Sequence, residues 1–389
     1  MKILLIGGTG VLSTAVTNEA LKQGMSVTMI NRGNRMKYVP KGAELIKADK
    51  NDKETIRTKL GDRKFDAVMD FLCMSDADTT KSFIFYSHYT KQYFFISSCA
   101  VYNSSLGGVL SEDSEKVLKV WPYSVNKWAS EEHLMKLAAG TDVKYTVIRP
   151  AVTYGDTRIP YGISPMYGYH WTLVARIMSG KPIIRWNGGI NRGNMMRVED
   201  FAVGAVGLIG NPKAYNEAFN ICGDETPSFN EVLDVLAELT GKKIITVDVT
   251  SEFYAENLPE RAGEILGGRS IDAHCSNAKI KSVVPAFRQT ITLKDGIRMT
   301  YEAYKRDNYE RGIDWAFDAD CDRIIRKWCK EKGMDSSHYN LRFIDYLGNA
   351  TDSDRHIYFN SLNKYRWDVR AKRYTKRILR KVYHVLKGN

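Results

Sequence analysis

The sequence has no apolar run approaching 18 residues, so it offers no transmembrane helix. No secretory leader is expected either. MKILLIGG passes from Lys2 through a short apolar run straight into glycines, with no cleavage site of small residues. It reads as a buried strand entering a tight turn, and it implies a mature cytoplasmic N-terminus. Cysteine is sparse and scattered: Cys73, Cys99, Cys222, Cys275, Cys321 and Cys329 form no C-x-x-C pair. Metal-ligand spacing is absent, so no metal is expected, and the thiols should be reduced and packed as small hydrophobes. No internal repeat or low-complexity block occurs. Acidic residues nearly vanish at the C-terminal end, where ten Lys/Arg between Asn363 and Asn389 meet one acid, Asp368. Most of the net charge of +12 therefore belongs to a tail. The main body is close to neutral, and whole-chain charge does not argue for nucleic acid; no nucleic-acid partner is expected.

What is present is an ordinary globular composition. The 389 residues are 43% hydrophobic and 26% charged, enough for one large domain plus a smaller lobe. Strand-like runs at 2–6, 26–32, 43–49, 65–72, 92–98 and 143–150 alternate with helical patterns. This rhythm predicts an α/β Rossmann fold, a doubly wound parallel sheet whose ligands bind at the C-terminal strand edge. The rhythm breaks near 150, and Tyr, Gly and Pro crowd residues 154–169 into irregular loops. Helices are predicted at 170–179, 199–209, 228–240 and 292–305, with a short strand at 243–248. The expected organisation is an NAD(P)-binding domain over 1–155, a mainly substrate-binding lobe over 156–330 interleaved with it, and a C-terminal extension over 331–389. That extension ends in a basic amphipathic helix with Tyr374, Ile378, Val382 and Val385 at helical spacing. Such a helix suits an anionic membrane surface, which would place a cytoplasmic protein peripherally at the membrane; packing on its own domain or on a partner subunit is the alternative.

Gly7, Gly8, Thr9, Gly10, Val11, Leu12 and Ser13 follow the first strand and open a helix. Glycine there permits a tight turn, lets backbone approach a pyrophosphate and leaves helix N–H groups for the anion. Gly7, Thr9, Gly10, Val11 and Leu12 are the expected cofactor contacts, with Phe71 and Leu72 after the fourth strand. The second strand ends in Asn31-Arg32-Gly33-Asn34-Arg35 without a carboxylate. A carboxylate there would hold a ribose hydroxyl and repel a 2′-phosphate, whereas guanidinium attracts it. NADP(H) is therefore favoured over NAD(H), with Asn31 and Arg32 as contacts. Asp49 is either an adenine-side contact or a cap of the following helix.

Tyr123 and Lys127 are spaced to share one face of a helix. An ammonium beside a phenol lowers the phenol's pKa toward neutrality, producing an acid/base for a hydroxyl or ketone. Lys127 could also hold a nicotinamide ribose.

Together, GGTGVLS, ISSCAVY, YSVNK, VIRPAVTYG, RVEDFAVGAV, FNICGDETPSFNEVL, IDAHCSNAKI and LKDGI resemble the extended short-chain dehydrogenase/reductases, the NAD-dependent epimerase/dehydratase family acting on nucleotide sugars. The matches run in family order from residue 1 to about 305. The resemblance implies Ser98, Tyr123 and Lys127 as the catalytic set, with Arg149, Pro150 and their successors lining the nicotinamide end. It implies Tyr102, Arg192 and Arg197 toward the substrate, the two arginines meeting a diphosphate, and it makes a homodimer the common assembly. The family's dehydratases carry Asp-Glu where this chain has Cys99-Ala100. Dehydration by that route is not expected. What remains is epimerisation through transient oxidation, with an NADPH-dependent ketosugar reductase as the first alternative and a non-catalytic dinucleotide- or RNA-binding member of the fold as the second.

Overall fold

The computed structural model describes residues 1–364 apart from Leu118, Glu310 and Arg311. The basic helix expected at 365–388 lies outside the described residues.

Seven strands pair in parallel: β1 (Lys2–Ile6), β2 (Ser26–Asn31), β3 (Glu44–Lys47), β4 (Ala67–Asp70), β5 (Gln92–Ile96), β6 (Lys144–Pro150) and β7 (Glu217–Ile221). Their order is β7-β6-β5-β4-β1-β2-β3. The run KILLI is buried from Ile3 onward, and β4 and β5 are buried throughout, as a sheet covered on both faces requires. One cover contains α1 (Val11–Lys22), whose Val16 and Ala20 share a core with Phe201 and Ala205. The other contains α2 (Lys53–Leu60), α3 (Asp76–Tyr86) and α4 (Pro122–Ala139) around Ile56, Phe83 and Leu134. Strand order reverses between β1 and β4, which opens a crevice beyond their carboxyl ends, beside the glycine turn.

The seventh strand was not among the sequence expectations. EAFNI is short, and its partner β6 lies far back in the chain. It carries the chain from the second lobe back into the first sheet, so the lobes interleave.

The second lobe has a separate core. It includes α5 (Trp171–Met178), α7 (Phe229–Thr240), α8 (Ser251–Asn257) and α10 (Trp315–Glu331), where α6 denotes Val198–Gly207 and α9 Leu293–Arg306. Strands Ile183–Trp186 and Thr246–Val249 pair within it. The same core continues past residue 331 to Leu341 and to Tyr358 of α11 (Asp352–Leu362). At its centre Arg176 and Lys181 meet Asp318 and Asp322 at 2.5–3.0 Å, all with fully buried side chains. Tyr346 and Tyr358 each donate a hydroxyl to this cluster. Charges cancel and the carboxylates are multiply bonded, the condition under which buried ions are tolerated. No helix among the described residues is long and apolar enough to cross a membrane.

Candidate active site

Two connected clefts occupy the crevice. The first, about 680 Å³, is lined by the glycine turn, the ends of β2 and β3, and the Phe71-Leu72 segment. The second, about 740 Å³, lies between the sheet edge and the second lobe. They meet at Leu12, Phe71, Thr153, Arg158 and Tyr167.

In the first cleft, Gly7 and Gly8 adopt left-handed φ values of 118° and 76°. A Cβ on Gly8 would fall 2.6 Å from the Met29 sulfur, so conformation and space both demand glycine there. Thr9, Gly10, Val11, Leu12, Asn31, Arg32, Asp49, Phe71 and Leu72 all line this cleft. Asp49 accepts the backbone N–H of Asn51 at 2.9 Å, while Asp52 caps α2 through Thr55. The amide oxygen of Asn31 accepts from Gly33, but its buried Nδ2 has no partner. A buried donor without an acceptor is costly, and a ribose or phosphate oxygen would satisfy it. Together with the glycine cradle, that orphaned donor fits a dinucleotide.

Ser98, Tyr123, Lys127 and Pro150 line the second cleft. Ser98 sits just beyond β5 and caps the turn that follows it, accepting from Ala100 N–H at 3.1 Å. Pro122 occupies the first turn of α4, where its missing N–H costs nothing. It launches Tyr123, and Lys127 follows one turn later. Ser98 and Tyr123 hydrogen-bond through their side chains. Lys127 lies 6.0 Å from the Tyr123 ring centroid, and its ammonium donates to Cys73 O at 2.8 Å and Ile96 O at 2.9 Å.

The expected depression of the phenol pKa is not what this environment produces. Burial raises the Tyr123 pKa, with the Ser98 hydrogen bond and the Arg158 and Arg269 charges opposing it. Lys127 is itself desolvated, and burial lowers its pKa to about 8. Two backbone carbonyls hold its ammonium, which weakens its pull on the phenol. Tyr123 is therefore protonated at neutral pH.

Three other expectations need correction. Arg149 is 2% exposed and pairs with fully buried Glu131 at 2.6 Å, so it braces β6 against α4 rather than lining the nicotinamide end. Tyr102 is 1% exposed, and its hydroxyl is committed to Arg149 and Asn220. It floors the cleft without offering a polar group. Arg197 is buried in pairs with Asp156 and Glu199, both at 2.7 Å, and no part of it reaches the second cleft. Its place before an acidic helix start in RVED explains the pairing with Glu199. Arg192 does line the cleft, half-exposed and 3.1 Å from Glu231.

Residues that the sequence did not single out complete the wall. Arg158, Tyr167, Arg261, Glu264 and Arg269 all face the second cleft. The Arg158 guanidinium lies 4.9 Å from the Tyr167 ring and donates to Thr153 O at 2.8 Å. No ion pair to it occurs among the described residues, and burial lowers its pKa. The Tyr-Gly-Pro composition of 154–169 showed a loop but not which of its side chains turns inward.

A sequence model of the NAD dependent epimerase/dehydratase family matches residues 3–222. The chain is 27% identical over 253 residues to chloroplast stem-loop binding protein of 41 kDa b from Arabidopsis thaliana, covering 62% of this chain and 63% of that protein. It thus spans less than two thirds of that relative's length. It is 19% identical over 260 residues to 2′-dehydrokanamycin reductase of Streptomyces kanamyceticus, covering 67% of this chain and 72% of that relative. Among solved structures, UDP-glucose 4-epimerase of Thermotoga maritima with UDP-glucose superposes with a TM-score of 0.63 at 18% identity, over 79% of this chain and all of that chain. UDP-glucuronic acid 4-epimerase of Bacillus cereus in complex with NAD gives 0.62 at 18% identity, over 79% and 97%. These two share the fold.

Proposed function

Because this chain belongs to the NAD-dependent epimerase/dehydratase family, we propose that it epimerises a nucleotide-diphosphate sugar at a Ser98-Tyr123-Lys127 site. One observation carries the reading: these three side chains line the second cleft, which opens into the glycine-turn cleft past Leu12, Phe71 and Thr153. The glycine turn, Asn31, Arg32 and Asp49 hold the dinucleotide. Bound there, its nicotinamide supplies reversible hydride exchange with a carbinol carbon. Ser98 and Tyr123 hold the sugar oxygen, and Tyr123 moves the hydroxyl proton on and off it. Lys127, held by Cys73 O and Ile96 O, keeps one N–H donor for the ribose. Arg158, Arg192 and Arg269 line the wall that would take the diphosphate, whose charge pairs an otherwise unmatched guanidinium.

A second reading has its own support. The end of β2 carries Arg32 and Arg35 without a carboxylate, which favours NADP(H). Tyr123 protonated at neutral pH suits donation to a carbonyl oxygen. Both features fit reduction of a ketosugar. Similarity to a stem-loop binding protein suggests a nucleic-acid-binding member of the fold instead, but an acid/base pair in the cleft that adjoins the glycine turn favours chemistry.

The test is a panel of nucleotide sugars with each cofactor. Epimerisation yields a new isomer with no net change in reduced nicotinamide; reduction consumes it mole for mole. In either case Tyr123→Phe should cut turnover by roughly a thousandfold and leave dinucleotide affinity within about twofold. Full activity in Tyr123→Phe would refute the site.

A further inference from the structure

The solved epimerase from Thermotoga is matched over its whole length by 79% of this chain, and the family motifs end near residue 305. The segment beyond those motifs grips one wall of the second cleft. We propose that Arg323, Lys327 and Lys364 are positioning residues that set the substrate wall formed by residues 257–269. The proposal rests on reading that cleft as the substrate site.

The wall is thin. It runs from the end of α8 through two short helical turns into a π-helical turn at Ile265–Arg269. Pro259, Glu260, Arg261, Glu264, Gly268 and Arg269 all face the cleft. A π-turn leaves backbone poorly satisfied, so such a segment keeps its shape only when neighbours hold it. Inward, the wall presses on the catalytic helix start: a Cβ on Gly268 would fall 2.6 Å from the Trp121 ring. That ring lies 5.3 Å from the Tyr123 ring. A shift of the wall is therefore felt both at Arg269 and beside the phenol.

Outward, α10 and the end of α11 supply the grip. Arg323 of α10 donates to Asn257 O at 3.0 Å, and Lys327 donates to Asn257 Oδ1 at 2.9 Å. Lys364, just past α11, bridges Glu260 at 3.0 Å and Asp320 of α10 at 2.8 Å. These three cations fasten the start of the wall at Asn257 and Glu260. Their own base is fixed, because α10 carries Asp318 and Asp322 of the fully buried charge cluster and α11 adds Tyr358 to it. The far end of the wall is held by Trp186 Nε1, which donates to Arg269 O at 3.0 Å. Clamped at both ends, the segment presents Arg261, Glu264 and Arg269 at a set depth.

Hydrogen exchange on the full chain tests the clamp. Arg323→Ala combined with Lys364→Ala should speed exchange across 258–269 by about tenfold or more and leave β1 to β5 unchanged. Lys327→Ala, a milder lesion, should do the same more weakly should the pair fold poorly. Arg323→Lys keeps a donor and should hold exchange within about twofold of wild type. With a nucleotide sugar that wild type turns over, the Ala pair should raise KM about tenfold and leave kcat within about threefold, and Arg323→Lys should keep the wild-type KM. Unchanged exchange at 258–269 overturns the clamp. Faster exchange with an unchanged KM overturns the positioning role. If no nucleotide sugar turns over at all, the reading of the cleft fails, and exchange still decides on the clamp.

Discussion

The two halves of the crevice are built by different means. On the cofactor side the walls are strand ends and a backbone turn, with one orphaned amide at the end of β2. On the substrate side the walls are loops from a second lobe, carrying Arg158, Arg192, Arg261 and Arg269. The first half follows from local rules of strand, turn and helix. The second exists only after residues far apart in sequence have been packed together around a hydrophobic core that encloses a charge cluster. The first cleft is thus mostly a property of the sheet's strand ends, and the second a property of the assembled lobe.

The largest effect that separates the halves should come from breaking the cluster under the second lobe. Asp322→Ala leaves Lys181 and Arg176 under-paired in the interior. It should cost about 3–5 kcal/mol, seen as an early unfolding transition in denaturant while dinucleotide binding persists. Simultaneous loss of both would show that the halves are not separable.

Next comes the ammonium under the joint. Lys127 titrates near 8 in the folded chain and near its ordinary 10.5 when unfolded. Below pH 8 it is charged in both states, and its burial costs stability in full. As pH rises from about 8 to 10.5, the unfolded chain holds the extra proton, so stability increases. The stability of wild type relative to Lys127→Met should therefore climb by on the order of 3 kcal/mol across that window. A flat difference would mean that Lys127 is solvated.

A smaller effect isolates the substrate side. Arg158→Met should weaken nucleoside-diphosphate binding by about 2 kcal/mol, the worth of a charge-assisted hydrogen bond. Dinucleotide affinity should move much less, although Arg158 borders both clefts. Equal losses would place Arg158 with the cofactor instead.

How much of this was legible follows the same division. GGTGVLS told of a strand, a turn and a helix before any coordinate, because glycine's conformational freedom is needed there and little else would serve. The alternation of strand-like runs and helices gave six of the sheet strands, but β7 was hidden by its distance from β6. Tyr123 and Lys127 were visible by spacing, yet the direction of the phenol's pKa was not. Burial decides it, and burial is a tertiary fact. Arg149, Tyr102 and Arg197 looked like ligand contacts because arginine and tyrosine can serve either as contacts or as interior braces. Only the partners Glu131, Asn220 and Asp156 reveal the second role. Arg158 and Arg269 had no periodicity to betray them. Helix α10 was not among the expected helices; its acids Asp318 and Asp322 are buried in the core, where the sequence alone shows no partner for them.

The central claim is that a dinucleotide lies over the glycine turn with its nicotinamide end toward Tyr123. Titration of the full chain with NADPH and NADH, followed by nicotinamide fluorescence, tests it most directly. Gly10 has an ordinary negative φ of −87°, and a Cβ there meets only the Ser13 hydroxyl at 3.3 Å. Gly10→Val should therefore fold while filling the space a pyrophosphate needs. Saturable binding to wild type, weakened about fiftyfold or more in Gly10→Val, is the predicted result. No binding of either reduced dinucleotide, or equal binding by the variant, would contradict it.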